Sequence, residues 1–187
     1  KSVNPDATTS VIFTGSWSDP ALQTSSANTL IDKGIDVIAQ HQDSTKTIVE
    51  LCEQKGVYCV GDHADASELA PNTWLTGAVW HWDDLFIDMV QTAIDGKFDG
   101  SKYDGKYRGG LKEGVVDIAP FGKSVSEDTQ KKIEEEKDKM INDDYNPFSD
   151  EIKDQKGNIV CKKGQTLTID EIESMDYLVD GVIGSTK

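Results

Sequence analysis

The sequence predicts an α/β fold built on a parallel sheet. Two observations carry that prediction. Short apolar, strand-like runs alternate with amphipathic segments of helix length over the first 70 residues. The helix-length segments also open and close on capping residues. Alternation of this kind implies right-handed βαβ units.

The elements follow in order. VIFTG (11–15) reads as a buried strand. Asp19 is placed to cap a helix, with Pro20 at the first helical position, where its missing N–H costs nothing. Leu22, Ala27, Leu30 and Ile31 supply an apolar stripe, and Gly34 closes the helix in a left-handed conformation. DVIAQ (36–40) is the second strand. A helix from Thr45 to Lys55 turns Ile48, Leu51 and Cys52 inward and stops at Gly56. VYCVG (57–61) is the third strand.

Beyond residue 70 the character changes. PNTWLTGAVWHW (71–82) is apolar and aromatic without helical spacing. DDLFIDMVQTAIDG (83–96) is a helix carrying Leu85, Phe86, Met89, Val90 and Ala93 on one face. A polar Gly/Tyr/Lys-rich loop (96–110) leads to GVVDIAPFG (114–122), a strand ending in a turn. SEDTQKKIEEEKDKMI (126–141) is a charged surface helix, with Ser124 and Glu127 spaced as a capping box. Residues 153–168 read as a hairpin, followed by a short helix and an apolar tail.

A chain of 187 residues buries a sizeable core as one large domain or two small lobes. Its formal net charge of −15 repels nucleic acid and anionic membrane surfaces, so neither is an expected partner. Cys52, Cys59 and Cys161 are irregularly spaced and form no C-x-x-C pair. They are read as small buried hydrophobes. GGLKEG (109–114) lacks the context of a phosphate-binding loop, no nucleophile elbow is recognisable, and no cofactor is called for.

Parallel α/β sheets bind ligands at the carboxyl ends of their strands. The three predicted strand ends supply Ser16, Trp17 and Asp19; then His41, Gln42, Asp43 and Ser44; then Asp62, His63 and Asp65. Trp17 has small and polar neighbours on both sides, which offer no apolar seam for an indole. It either caps the core or stacks on a planar ligand, the second being worth about 1–3 kcal/mol for a nucleobase. Asp19 is an N-cap whatever else it does, and Asp43 and Ser44 stand ready to cap the next helix. Asp65 precedes the weak helix start ASEL, where capping explains it less well. Carboxylates in a cleft accept hydrogen bonds from sugar hydroxyls or from ring and exocyclic N–H groups.

A rival reading uses the same residues. His41-x-Asp43 and His63-x-Asp65 are two His-x-Asp pairs on successive strand ends, the spacing a metal-dependent hydrolase would use to hold zinc or another divalent ion. Trp74, Trp80, His81 and Trp82 form the remaining cluster. Trp74 reads as core, while alternation puts Trp80 and Trp82 together on one side, where they can close a pocket over a ligand on Trp17.

GSWSDPA, LIDKGIDVIAQHQDS, GVYCVGDHADAS, LTGAVWHW and MDYLVDGVIGS, in that order and spacing, resemble the BMP family: the basic-membrane-protein-type, substrate-binding lipoproteins of ABC transporters. The resemblance implies a type I periplasmic-binding-protein fold, with Rossmann-like parallel sheets and flanking helices, and no enzymatic activity. It implies an extracytoplasmic protein, in the periplasm or lipid-anchored on the outer face of the membrane, that delivers a purine base or nucleoside to an ABC permease. A receptor that reports a ligand to a partner would use the same fold.

Site roles follow from the resemblance residue by residue. The aromatic at Trp17 stacks on the purine, and the acid at Asp65 is similar to the one that holds a ribose. Nucleoside binders carry a lysine where this chain has Trp80, which tilts the expectation toward a free base such as adenine. Trp17, Asp19, Asp43, Ser44, Asp65 and Trp80 are thus the expected ligand-binding residues. The resemblance also places this chain in the C-terminal portion of the family, with the N-terminal lobe largely missing. Residues 1–70 are then the βαβαβ part of the C-terminal lobe, 71–105 the segment returning to the missing lobe, and 106–187 the return. Exposed apolar surface and self-association are the expected consequences.

Overall fold

In the computed structural model residues 3–105 and 107–186 are described. The strands and helices, in chain order, are β1 (Thr9–Ser10), α1 (Pro20–Asp32), β2 (Val37–Ala39), α2 (Thr45–Lys55), β3 (Tyr58–Gly61), β4 (Trp74–Trp80), α3 (Asp83–Ile94), β5 (Val116–Ile118), α4 (Glu127–Ile141), β6 (Ile152–Lys153), β7 (Ile159–Cys161), α5 (Ile169–Glu173) and β8 (Val182–Ile183). They fall into two units, one of residues 17–144 and one combining the residues up to 16 with those from 145 onward.

The unit of residues 17–144 is organised by a four-stranded sheet in the order β2-β3-β4-β5. β2, β3 and β4 run parallel, with Ile38 opposite Cys59 and Gly61 opposite Gly77. β5 joins antiparallel, Trp80 lying opposite Val116. The carboxyl ends of three strands therefore lie along one edge.

Local chemistry accounts for the helices. Asp19 Oδ1 accepts the N–H groups of Ala21 (2.9 Å) and Leu22 (3.0 Å), opening α1 as expected. The buried stripe of α1 keeps the expected Ala27 and Ile31 but takes Gln23 in place of Leu22. Leu22 is exposed, and Gln23 and Ala27 are buried, with Ile31 packed at the core's margin. These positions are four apart and share a face. α2 matches expectation, with Ile48, Val49, Leu51 and Cys52 inward and Gly56 in the left-handed C-cap. For α4 the N-cap is Ser126, which accepts the Thr129 N–H (3.3 Å). The expected capping box of Ser124 and Glu127 does not form, because the helix starts at Glu127 itself and Ser124 donates instead to Asn72 O.

The core of this unit surrounds Trp74, which is 2% exposed. Its indole N–H donates to Pro120 O (3.1 Å) and its six-membered ring lies over Gly61 and Gly77. Ile38, Ile48, Val49, Leu51, Cys52 and Cys59 complete the layer between sheet and α2. The cysteines are free and buried, as the sequence suggested. Burial and a hydrogen bond with Cys59 push the Cys52 thiol well above its ordinary range, with the hydrogen bond the larger cause. Glu53 clips α2 to the entry of β4, accepting from Asn72 N, Asn72 Nδ2, Thr73 N and Thr73 Oγ1. On α3 no residue is buried, and Phe86, Ile87, Val90 and Ile94 are exposed.

The other unit holds β1 and β8 in a parallel pair, Thr9 opposite Val182, and the antiparallel hairpin of β6 and β7. A capping box between Thr168 and Glu171 starts α5. Phe148, Ile152, Met175, Leu178, Val179 and Val182 help line a cavity of about 590 Å³. VIFTG corrects the sequence reading. The strand is Thr9–Ser10 just upstream, Val11 N donates to Ile183 O, and Phe13 is exposed. The partner of this stretch is thus the chain's distant C-terminal end, not the four-stranded sheet.

Candidate functional site

Trp17 does not sit at the end of a strand of the sheet, yet it reaches the sheet's carboxyl edge. Its carbonyl accepts the Asp43 N–H (2.9 Å) and the Gln23 Nε2–H (3.3 Å), which tie the turn before α1 to the segment after β2. Gln23 is fully buried and also donates to Gln42 Oε1 (3.0 Å). Sequence reasoning missed this residue: polar and mid-helix, it stands out only through the burial of positions 23 and 27.

Side chains from the three parallel strand ends meet beside it. The Trp17 and His41 rings are 5.4 Å apart, edge to face at 67°. His41 and His63 follow at 6.4 Å, His63 and Trp80 at 6.5 Å, and Trp80 stacks on Trp82 at 5.2 Å. Trp82 in turn stacks on Phe86 at the start of α3. Trp82 caps that helix rather than extending β4, so its pairing with Trp80 comes from the helix start and not from strand alternation.

Two hydrogen bonds and two longer contacts to Asp62 set the chemistry of this arc. The Trp80 indole N–H donates to His63 Nδ1 at 3.0 Å. Indole is only a donor, so Nδ1 is the acceptor and the neutral ring carries its proton on Nε2. That nitrogen faces Asp43 Oδ1 at 3.1 Å and Asp62 Oδ2 at 3.4 Å. His41 Nε2 stands 3.9 Å from the same Asp62 oxygen. Asp62 is 7% exposed, and its Oδ2 is buried without a hydrogen-bond partner. His63 has φ of 71°, a left-handed backbone uncommon for non-glycine residues and held by the surrounding structure. The turn lets consecutive residues 62 and 63 approach one cluster, although neighbours in a strand point apart.

The expected site residues divide accordingly. Trp17, Asp43 and Trp80 are brought together. Ser44 is the N-cap of α2 but its hydroxyl makes no capping bond. Asp19 lies in the turn after Trp17 with Oδ1 committed to α1. Asp65 Oδ1 accepts the Ser67 N–H (2.9 Å) at the start of a single 3₁₀ turn, so local capping does account for part of its role. Ser16 belongs to the other unit, its carbonyl accepting from Thr14 Oγ1. The hydrolase pattern does not assemble: among the described residues no three His, Cys, Asp or Glu side chains are placed to hold a metal ion. His63 meets Trp80 and Asp43 instead, and Asp65 turns to Ser67.

Aromatic faces and carboxylates thus gather at the carboxyl edge of a parallel sheet in an α/β fold whose structural neighbours are solute-binding proteins, the edge at which such sheets take ligands. The chain belongs to the Bmp family, the PnrA-like substrate-binding proteins of ABC transporters, whose model matches residues 1–146. It is 35% identical over 182 residues to a purine-binding protein of Brucella abortus (strain 2308), covering 97% of this chain and 50% of that one. It is 29% identical over 149 residues to a putative ABC transporter glucose-binding protein of Haloferax volcanii, covering 80% of this chain and 37% of the relative. The solved structure of a transcriptional activator of the comK gene from Bacillus halodurans superposes with a TM-score of 0.63 at 24% identity, over 71% of this chain and 46% of that one. The chain thus spans half or less of the length of these relatives. Among the described residues no helix is long and apolar enough to cross a membrane.

Proposed function

We propose that the protein takes part in the extracytoplasmic capture of a purine-type solute and its delivery to an ABC permease in the membrane. The observation that carries this reading is the arc from Trp17 through His41 and His63 to Trp80, with Asp43 and Asp62 beneath it. Trp17 offers an exposed indole face for stacking, its backbone tied at the carbonyl so that little ordering remains to be done on binding. Trp80 closes the other end, and Asp43, Ser44, Asp65 and the free oxygen of Asp19 supply polar contacts. A free base such as adenine suits this site better than a nucleoside, since Trp80 fills the place where nucleoside binders resemble one another in carrying lysine. Support also comes from the purine-binding relative in Brucella abortus.

The test is a tryptophan-fluorescence titration with adenine, guanine, adenosine, guanosine and inosine, with glucose as the competing ligand class. Saturable quenching by adenine is expected. Trp17→Ala weakens it at least tenfold, or about 1.4 kcal/mol. Unchanged affinity in that variant removes Trp17 from the site, and a response to glucose alone overturns the purine reading.

A further inference from the structure

Among the described residues buried side-chain oxygens of Gln23, Gln40 and Asp62 lack a hydrogen-bond partner, and of these Asp62 alone is a carboxylate. Asp62 is 7% exposed, and its buried Oδ2 has no hydrogen-bond partner among the described residues. A buried acceptor left without a donor is costly, and more so when charged. Two imidazoles approach it, and they are not equivalent. His63 Nε2 is directed at Asp43 Oδ1 at 3.1 Å and is held from behind by the Trp80 N–H. His41 Nε2 lies 3.9 Å from Oδ2, its side chain is 75% exposed, and its ring stands edge to face with Trp17. His63 Nε2 lies nearer to Oδ2, at 3.4 Å, but its N–H is already given to Asp43, so His41 is the imidazole left to complete the carboxylate.

We propose that His41 is a specificity-determining ligand contact and that Asp62 is its positioning residue. With Nε2–H drawn onto Asp62 Oδ2, the neutral ring has its proton fixed on that nitrogen, and Nδ1 becomes an obligatory acceptor. Nδ1 then accepts an N–H from the edge of a heterocycle stacked on Trp17. The favoured ligand is one with an N–H donor at that edge, such as an aminopurine. A ring whose edge offers only acceptors leaves both partners unsatisfied, and that is how buried polar groups discriminate. This inference rests on the purine reading above.

The experiment measures adenine affinity in the wild-type protein, His41→Phe, Asp62→Asn and the double variant. The imidazole ¹⁵N signals of His41 are followed in parallel. Phenylalanine keeps the ring against Trp17 and removes both nitrogens. His41→Phe is expected to weaken adenine at least tenfold, about 1.4 kcal/mol, and Asp62→Asn severalfold. The asparagine change adds nothing once His41 is gone, because Asp62 acts through it. Adenine should drive the His41 signals of the wild type to the single tautomer protonated on Nε2, and Asp62→Asn should leave a mixture. Wild-type binding with His41→Phe unaffected, or additive losses in the double variant, overturns the inference and leaves the purine reading standing. No adenine binding by the wild type overturns both.

Discussion

Gly61 is the last residue of β3, directly before Asp62, and it lies under the Trp74 indole. A Cβ at position 61 would come within 2.5 Å of Trp74 Cη2 and 2.6 Å of Cζ3. Ordinary carbon contacts lie near 3.5–4.0 Å, so roughly 1 Å of overlap must be relieved. The indole is 2% exposed and pinned by its bond to Pro120 O, which leaves it little freedom to retreat. Overpacking of this kind costs about 1–3 kcal/mol, and a loss near the middle of that range lowers the melting temperature by roughly 4–8 °C for a chain of this size.

Gly61→Ala should therefore destabilise the protein in urea titrations. It should also weaken adenine, because the displaced backbone carries Asp62 and His63. Trp74→Phe removes the two ring atoms that clash, at its own cost in buried area and in the bond to Pro120. In the Trp74→Phe background Gly61→Ala should be nearly neutral, giving a coupling within the range of about 0.5–3 kcal/mol found for touching residues. Equal losses in the two backgrounds would refute the claim that glycine is required there by the indole.

Two further outcomes follow from hydrogen bonds. Asn72 above all, then Thr73, holds the Glu53 carboxyl below its usual range. A depressed folded-state value means stability that is present above the unfolded value and is lost as pH falls through the folded one. Glu53→Gln should lower the melting temperature at neutral pH, with the difference shrinking in acid, and a difference independent of pH would count against this role. Trp80→Phe removes the indole N–H that donates to His63 Nδ1. The His63 ¹⁵N signals should shift from one tautomer to a mixture, and an unchanged spectrum would mean that Asp43 alone fixes the ring.

What could be read from the sequence was what depends on near neighbours. Asp19 was legible as a cap because its partners are two and three residues away, and α2 because its apolar spacing and Gly56 agree. The second and third strand ends were legible as neighbours because parallel strands bring His41 and Asp62 to one edge whatever the loops do. Gln23 was not, since its burial depends on Gln42 and the Trp17 carbonyl, contacts that no local pattern encodes. VIFTG has the composition of a strand, but the pairing of Thr9 and Ser10 with residues 182 and 183 decides where the strand lies. Serines 124 and 126 both precede α4, and only the actual helix start separates them.

The placement of the four tryptophans has an optical consequence. Trp17, Trp80 and Trp82 are exposed along one arc, the first two with imidazole neighbours, while Trp74 is sealed in the core. Emission should therefore resolve into a red, acrylamide-accessible population and a blue, protected one. The first watches the ligand and the second watches the fold. A single spectrum recorded during denaturation would then show whether the edge of the sheet loosens before its centre does.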